Sequence, residues 1–266
     1  MAKLINNFEK VIQILAPLNM GYLLDSISEG YTNVDVYVND ETNPTVALIV
    51  EESSYYFCGD DDNEQILHDI IDFFKDDVLK GRKRENSDWA KIFYTSEKWR
   101  TLLSKRLRKL QPVTYERVLL YHDLGILPTI LSAHDDIQFT EINQTIFDKG
   151  LENTKLLKDE IIKMWGSVDT FLRDGIGFCA IKDNELISWS TTRYKSKSKC
   201  GIGVRTISKY QRKGIATALC NHVLHECKKQ NLHTYWDSWK TNSPSVSIAK
   251  KNGFKEDFTY EVFLIK

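Results

Sequence analysis

The residues of this chain best placed for chemistry lie in 202–218, IGVRTISKYQRKGIATA. A β-branched run (Ile202, Val204, Thr206, Ile207) gives way to Gln211, Arg212, Lys213 and Gly214, and a helical pattern begins at Ile215. This order predicts a strand, a tight turn and a helix N-terminus, whose first backbone N–H groups lack intrahelical partners and sit at the positive end of the helix dipole. Such an end suits a phosphate or pyrophosphate. Glycine at 214 removes the Cβ that would obstruct a close backbone approach, while Arg212 and Lys213 add charge. The spacing matches neither a Walker loop nor the three-glycine dinucleotide fingerprint. On these residues alone, an anion site and a plain strand-to-helix turn with a solvated basic edge both stand.

Other chemistries find less support. Cys58, Cys179, Cys200, Cys220 and Cys227 are an odd, scattered set without CxxC spacing, so reduced thiols are expected. His222 and His225 share a predicted helix and His233 follows, but no HExxH or Cys/His cluster completes a ligand set, so no metal is expected. Lys98, Arg100, Lys105, Arg106, Arg108 and Lys109 share another predicted helix. Its surroundings are acidic and lack interleaved aromatics, which favours a solvated face over a nucleic-acid stripe. Residues 1–130 carry 15 Lys+Arg against 21 Asp+Glu, and residues 131–266 carry 21 against 16, so the anion turn lies in the basic part. No apolar run approaches the roughly 18 residues of a membrane span. The stretch MAKLINNFEKVIQILAPLNM breaks its apolar residues with Asn, Glu, Lys and Gln, unlike a secretory leader. A cytoplasmic protein with no membrane and no nucleic-acid partner is expected.

The elements that must position the turn follow from periodicity. In the first part, a short helix around Phe8–Leu15 closes at Pro17, and strands are predicted at Val34–Val38, Val46–Glu51 and Tyr55–Cys58. A helix follows Asp62, with Gln65 placed for a capping box, and ends at Gly81. Then come a strand (Ala90–Tyr94), a helix (Glu97–Leu110) and a strand (Tyr115–Tyr121). LGILPTILSAHD has no clear period and serves as connector, giving an N-terminal α/β domain over 1–125, a connector over 126–135 and a second domain over 136–266. The second domain reads as strand Ile137–Glu141, helices near Gln144–Lys149 and Lys155–Met164, a hairpin (Phe178–Lys182, Leu186–Thr192) and the long strand into the turn. Helix Ile215–Lys229, strand Tyr235–Trp239, a helix from Ser243-Pro244 to Asn252-Gly253 and a closing strand or hairpin over Phe254–Ile265 complete it.

Gln211-Arg212-Lys213-Gly214-Ile215-Ala216 resembles the (Arg/Gln)-x-x-Gly-x-(Gly/Ala) turn of the GNAT family of acetyl-CoA-dependent acetyltransferases. Asn242 and the segment ending Asn252-Gly253-Phe254 resemble that family's motif B, and the order of elements over 136–266 is similar to its fold. The acidic N-terminal half joined to this C-terminal half is most similar to the two-domain branch that includes zwittermicin A resistance acetyltransferases. The resemblance implies an α/β (α+β) class: a mixed, mostly antiparallel sheet flanked by helices, preceded by an N-terminal domain of similar element order. It implies acetyl-CoA as co-substrate, with Val204, Arg205 and Thr206 offering backbone to the pantetheine arm. Gln211, Arg212, Lys213, Gly214, Ile215, Ala216 and Thr217 would surround the pyrophosphate, and Asn242 would bond near the thiol end. A pantetheine adds to a splayed sheet like an extra strand, and a strand N–H at the thioester oxygen stabilises developing charge.

The reaction needs a base and an acid. Lys199 to Gly203 lack the strand-four carboxylate of many relatives, and Ala249 stands where the family's usual Tyr acid would be. Asp237, between Trp236 and Trp239, is the candidate base, with desolvation by those rings expected to raise its pKa; a structural acceptor is the competing role. Tyr235, Tyr260 or water are open as acid. Cys200 reads as a buried thiol rather than a covalent carrier. Trp165, Trp189, Trp236 and Trp239 are expected to wall an acceptor pocket, with Asp169 or Asp174 meeting a cation. The expected activity is direct N-acetylation of a primary amine of a small molecule, an antibiotic or amino-acid-like compound. The competing reading is a non-catalytic CoA-binding or regulatory module. Three roles stay open for the first domain: shaping the acceptor pocket, mediating a homodimer, or a degenerate copy of the second.

Overall fold

The computed structural model describes residues 2–5, 8–59, 62–81, 89–125, 127–128 and 136–266. The expected connector, 126–135, therefore lies outside the described residues except at 127 and 128. The chain divides into two compact units, and neither is a single continuous stretch.

The first unit holds Met1–Ser28, Asn33–Arg117 and Tyr260–Lys266. Its elements are β1 (Lys3–Leu4), α1 (Ile12–Leu15), α2 (Gly21–Ser28), β2 (Asp35–Val38), β3 (Ala47–Glu51), β4 (Ser54–Cys58), α3 (Glu64–Phe73), α4 (Leu79–Gly81), β5 (Ala90–Tyr94) and α5 (Glu97–Arg106). Strands β1 to β4 form an antiparallel meander, β4 pairs with β5 in parallel, and the end of β12 (Lys255–Ile265) pairs antiparallel with β5, Val262 facing Phe93. The alternating strands and the apolar stripe of α3 (Leu67, Ile70, Ile71) enclose one core with Phe57, Phe74, Trp99, Phe263 and Ile265. The basic helix α5 is laced by carboxylates: Arg100 pairs with Glu97 and Glu261, and Arg106 with Asp72.

Two local expectations are corrected here. The N-cap of α3 is Asn63, whose Oδ1 accepts from the Gln65 N–H at 3.0 Å, while the Gln65 amide donates forward to Asp69, so no capping box forms at Asp62. Of the strand or hairpin expected for the closing segment, only the hairpin fails: it is one long strand, because KEDFTYEVFLI offers no Gly, Pro or Asn on which to turn. Its last residues belong to the first unit. Ile265, only 1 % exposed in that core, tests this: Ile265→Val is expected to lower global stability by about 1 kcal/mol in urea unfolding, whereas a frayed terminus would show no change.

The second unit holds Glu29–Thr32 and Val118–Thr259. It contains the end of β6 (Val113–His122), then β7 (Gln138–Glu141), α6 (Gln144–Asp148), α7 (Thr154–Trp165), α8 (Val168–Asp174), β8 (Gly177–Lys182), β9 (Glu185–Arg193), β10 (Lys199–Thr206), α9 (Ile215–Lys229), β11 (His233–Trp239) and α10 (Ser243–Lys251). Strands run in the order β6-β11-β10-β9-β8-β7, with β7 to β10 antiparallel and β10–β11 parallel. Helices α9 and α10 cover one face through Cys220, Val223, Leu224 and Ala249, and α6 to α8 cover the other through Phe147, Leu157, Ile161 and Phe171. A register shift in the β8–β9 ladder at Ala180/Ile181 lets Ile187 join α9 while Trp189 joins α7. This is the mixed, mostly antiparallel sheet between helices that the family resemblance implies.

Candidate active site

The turn after β10 is built from two left-handed residues, Arg212 (φ +61°) and Gly214 (φ +81°). Gly214 is the N-cap of α9 and no side chain caps that end. The first helical bond runs from the Ala218 N–H to the Gly214 carbonyl at 3.1 Å, so the N–H groups of Ile215, Ala216 and Thr217 precede the ladder. A Cβ on Gly214 would meet nothing within 4 Å: the backbone angle selects glycine, and the space above it is open. Ile215, 1 % exposed, roots the helix against Ala180 and Ile187.

The approach to this turn is pinned by Glu185, a residue that the sequence did not single out. Its carboxylate takes the Tyr210 hydroxyl at 3.0 Å and the Lys209 ammonium at 2.7 Å, and its other oxygen accepts from the Asn153 amide at 3.0 Å. Hydrogen bonding by Lys209 first, and then by Tyr210 and Asn153, holds its carboxyl below the usual range against the cost of burial. Gln211 donates to the Thr206 carbonyl at 3.2 Å and closes the turn on its strand.

Beside the turn the sheet opens. The β10–β11 ladder has three rungs, Lys199–His233, Cys200–Thr234 and Gly201–Tyr235, and stops. From Ile202 to Thr206, β10 stays paired with β9 but has no β11 partner. The edge thus exposed is a place for an extended, amide-bearing ligand. The parallel pair at the same place in the first unit's element order differs: β4 and β5 are joined through Phe57–Tyr94, and α3 is capped by Asn63 with Glu64 in its first turn. That pair is closed and its helix end is occupied by the protein's own acceptors.

A family model for GNAT acetyltransferases matches residues 19–263. The chain belongs to the GNAT acetyltransferase family. It is 24% identical over 228 residues to an uncharacterized N-acetyltransferase YdfB of Bacillus subtilis, covering 86% of this chain and 84% of that one. Its fold is similar to a GCN5-related N-acetyltransferase-like protein from Streptococcus suis (TM-score 0.72, 16% identity, 98% of this chain and 100% of that one). It is also similar in fold to a tandem GNAT protein from the clavulanic acid biosynthesis pathway (TM-score 0.59, 9% identity, 99% and 98%). The protein is therefore an acyltransferase, in a family whose enzymes take the acetyl group from acetyl-CoA.

Within this GNAT chain the remaining predicted residues fall in distinct places. Asn242 caps α10, its Oδ1 accepting from the Ser245 N–H at 3.3 Å, so the capping bond uses the oxygen and not the amide nitrogen. Asp237 is half-buried on β11, and strand alternation separates it from Trp236, which points into the α9–α10 core and donates to the Ser245 hydroxyl at 3.0 Å. Desolvation by Trp236 is thus not available to Asp237; only Trp239 shares its face. Register places Tyr235 and Asp237 on the same face as Gly201 and Gly203. Tyr260 belongs to the first unit, its hydroxyl accepting from Arg117 Nε at 3.1 Å.

The expected apolar walls are also corrected. Trp165, Trp189 and Trp236 are 7 %, 1 % and 3 % exposed and form core, Trp165 donating to the Thr192 carbonyl. Asp174 pairs with Arg173 at 2.7 Å. Cys200 and Cys227 lie 3.8 Å apart, fully buried, and the hydrogen bond between them together with burial pushes the Cys200 thiol well above its usual range, so it is an inert core group. His222 stacks on Phe139 and Phe178, and His225 meets the Pro128 carbonyl at 3.1 Å. Among the described residues no His, Cys, Asp or Glu group could hold a metal ion, and no helix is long and apolar enough to cross a membrane.

Proposed function

We propose that this chain transfers an acetyl group from acetyl-CoA directly to a primary amine of a small molecule, antibiotic or amino-acid-like, in the cytoplasm. The observation that carries the reading is the three-rung ladder lying beside the uncapped start of α9. On this reading the pyrophosphate sits on the backbone of Gln211, Arg212, Lys213, Gly214, Ile215, Ala216 and Thr217, with the Arg212 and Lys213 charges near. The unpaired edge of β10 at Val204, Arg205 and Thr206 receives the pantetheine, and Asn242 bonds near its thiol end.

Bound acetyl-CoA would supply a thioester carbonyl to that edge. Backbone N–H groups of β10 hold the carbonyl oxygen as charge develops there. Asp237 accepts the proton of the acceptor ammonium, and Tyr235, at the last closed rung, donates one to the departing sulfur. No metal and no nucleic acid enters this scheme. The resemblance to the zwittermicin A resistance branch makes aminopolyols one class to screen, and a homodimer is compatible with all of it.

Calorimetric titration of acetyl-CoA tests the proposal. Micromolar binding at a single site per chain is expected, because the parallel pair of the first unit is closed and its helix capped. Thiol release on adding amines should follow. Absence of binding, or two equivalent sites, would sink it.

A further inference from the structure

Resting on the acetyl-transfer reading above, we propose that the acceptor amine carries a carboxylate and that the Arg205 side chain recognises it. The α9 face of β10 is closed by Cys200 and Ile202, packed under Cys220, Val223 and Leu224. The opposite face carries Gly201, Gly203 and Arg205 toward Trp189 and Arg193 of β9 and Glu160 of α7.

Glu160, 18 % exposed, has both oxygens engaged: Oε1 with Arg193 and Oε2 with the Trp189 indole N–H at 3.1 Å. Arg205 Nη1 stands 3.8 Å from Oε2, beyond hydrogen-bond length. Two guanidinium groups thus share one carboxylate, and the cluster keeps an excess of positive charge. Arg193 lies flat on β10, where a Cβ on Gly203 would collide with it, so Arg193 is the packed member. Arg205 is the outward one: 49 % exposed, with its guanidinium 5.7 Å from the centre of the Trp189 ring.

A planar, half-exposed fork over an aromatic ring fits a carboxylate in bidentate fashion. Arg205 lies beyond the Gly201–Tyr235 rung, along the open edge, on the face that Asp237 shares by register. A zwitterion is the complement of this pair: its ammonium at Asp237, its carboxylate at Arg205. The pyrophosphate does not require this arginine, because the turn at Arg212–Thr217 belongs to the α9 end.

The test titrates glycine, β-alanine, γ-aminobutyrate and lysine, each against its carboxamide, into CoA-saturated wild type, Arg205→Gln and Arg205→Lys. At least one carboxylate is expected to bind the wild type about 10–100-fold tighter than its carboxamide, with that ratio falling to near unity in R205Q and to an intermediate value in R205K. The Lys variant keeps the charge and stem, which separates recognition from misfolding. If the wild type binds CoA but shows no preference for a carboxylate, the Arg205 assignment alone falls. It falls equally if R205Q keeps the preference and instead weakens CoA. If the wild type binds no CoA, the acetyl-transfer reading falls and this one with it.

Discussion

Gly214→Glu is expected to weaken acetyl-CoA binding by at least about 100-fold. Three effects add. The backbone at φ +81° disfavours any residue with a Cβ, by about 1–2 kcal/mol; the new side chain enters the open space above the turn; and its carboxylate repels the phosphate and competes with it for the N–H groups that open α9. Gly214→Ala isolates the first two and should cost about tenfold. Calorimetry of the two variants beside the wild type measures the ladder, with circular dichroism verifying that α9 persists. Equal affinity in all three would reduce the turn to a helix start without a ligand.

Asp237→Asn is expected to lower kcat about 100-fold or more for any amine that the wild type acetylates, with acetyl-CoA affinity retained. The substitution keeps the size of a half-buried strand residue and removes its negative charge, and with it the ability to take a proton. An Asn variant that turns over at the wild-type rate would make Asp237 a structural acceptor and move the base to solvent.

Where local pattern decides structure, the sequence was legible. Helix Ile215–Lys229 and strand Ala90–Tyr94 have the predicted bounds, because periodicity, a flanking glycine and β-branched or aromatic runs all agree there. Helix α2 escaped because GYLLDSIS opens on glycine without a capping side chain, and α8 because its seven residues are too few for a period. The turn at Gly214 was readable as six residues. The slot beside it was not, since the length of a parallel ladder depends on which strand lies alongside. Glu185 stayed hidden for a similar reason: its partners Lys209 and Tyr210 lie one hairpin away. The tryptophans misled because composition reports aromatic bulk and not the face of the strand or helix that carries it, and three of them are core.

The membership of the end of β12 in the first unit bears on how the protein is made. Phe263 and Ile265 close a core whose other members end at Leu107 in the chain. On a ribosome, about 150 further residues must be polymerised after Arg117 before those two side chains exist, which takes on the order of 10–30 s. Throughout that interval β5 has an unpaired edge at Ala90–Tyr94 and the apolar surface behind it is uncovered. The nascent first unit thus keeps an open strand edge until the residues that pair with it have been made.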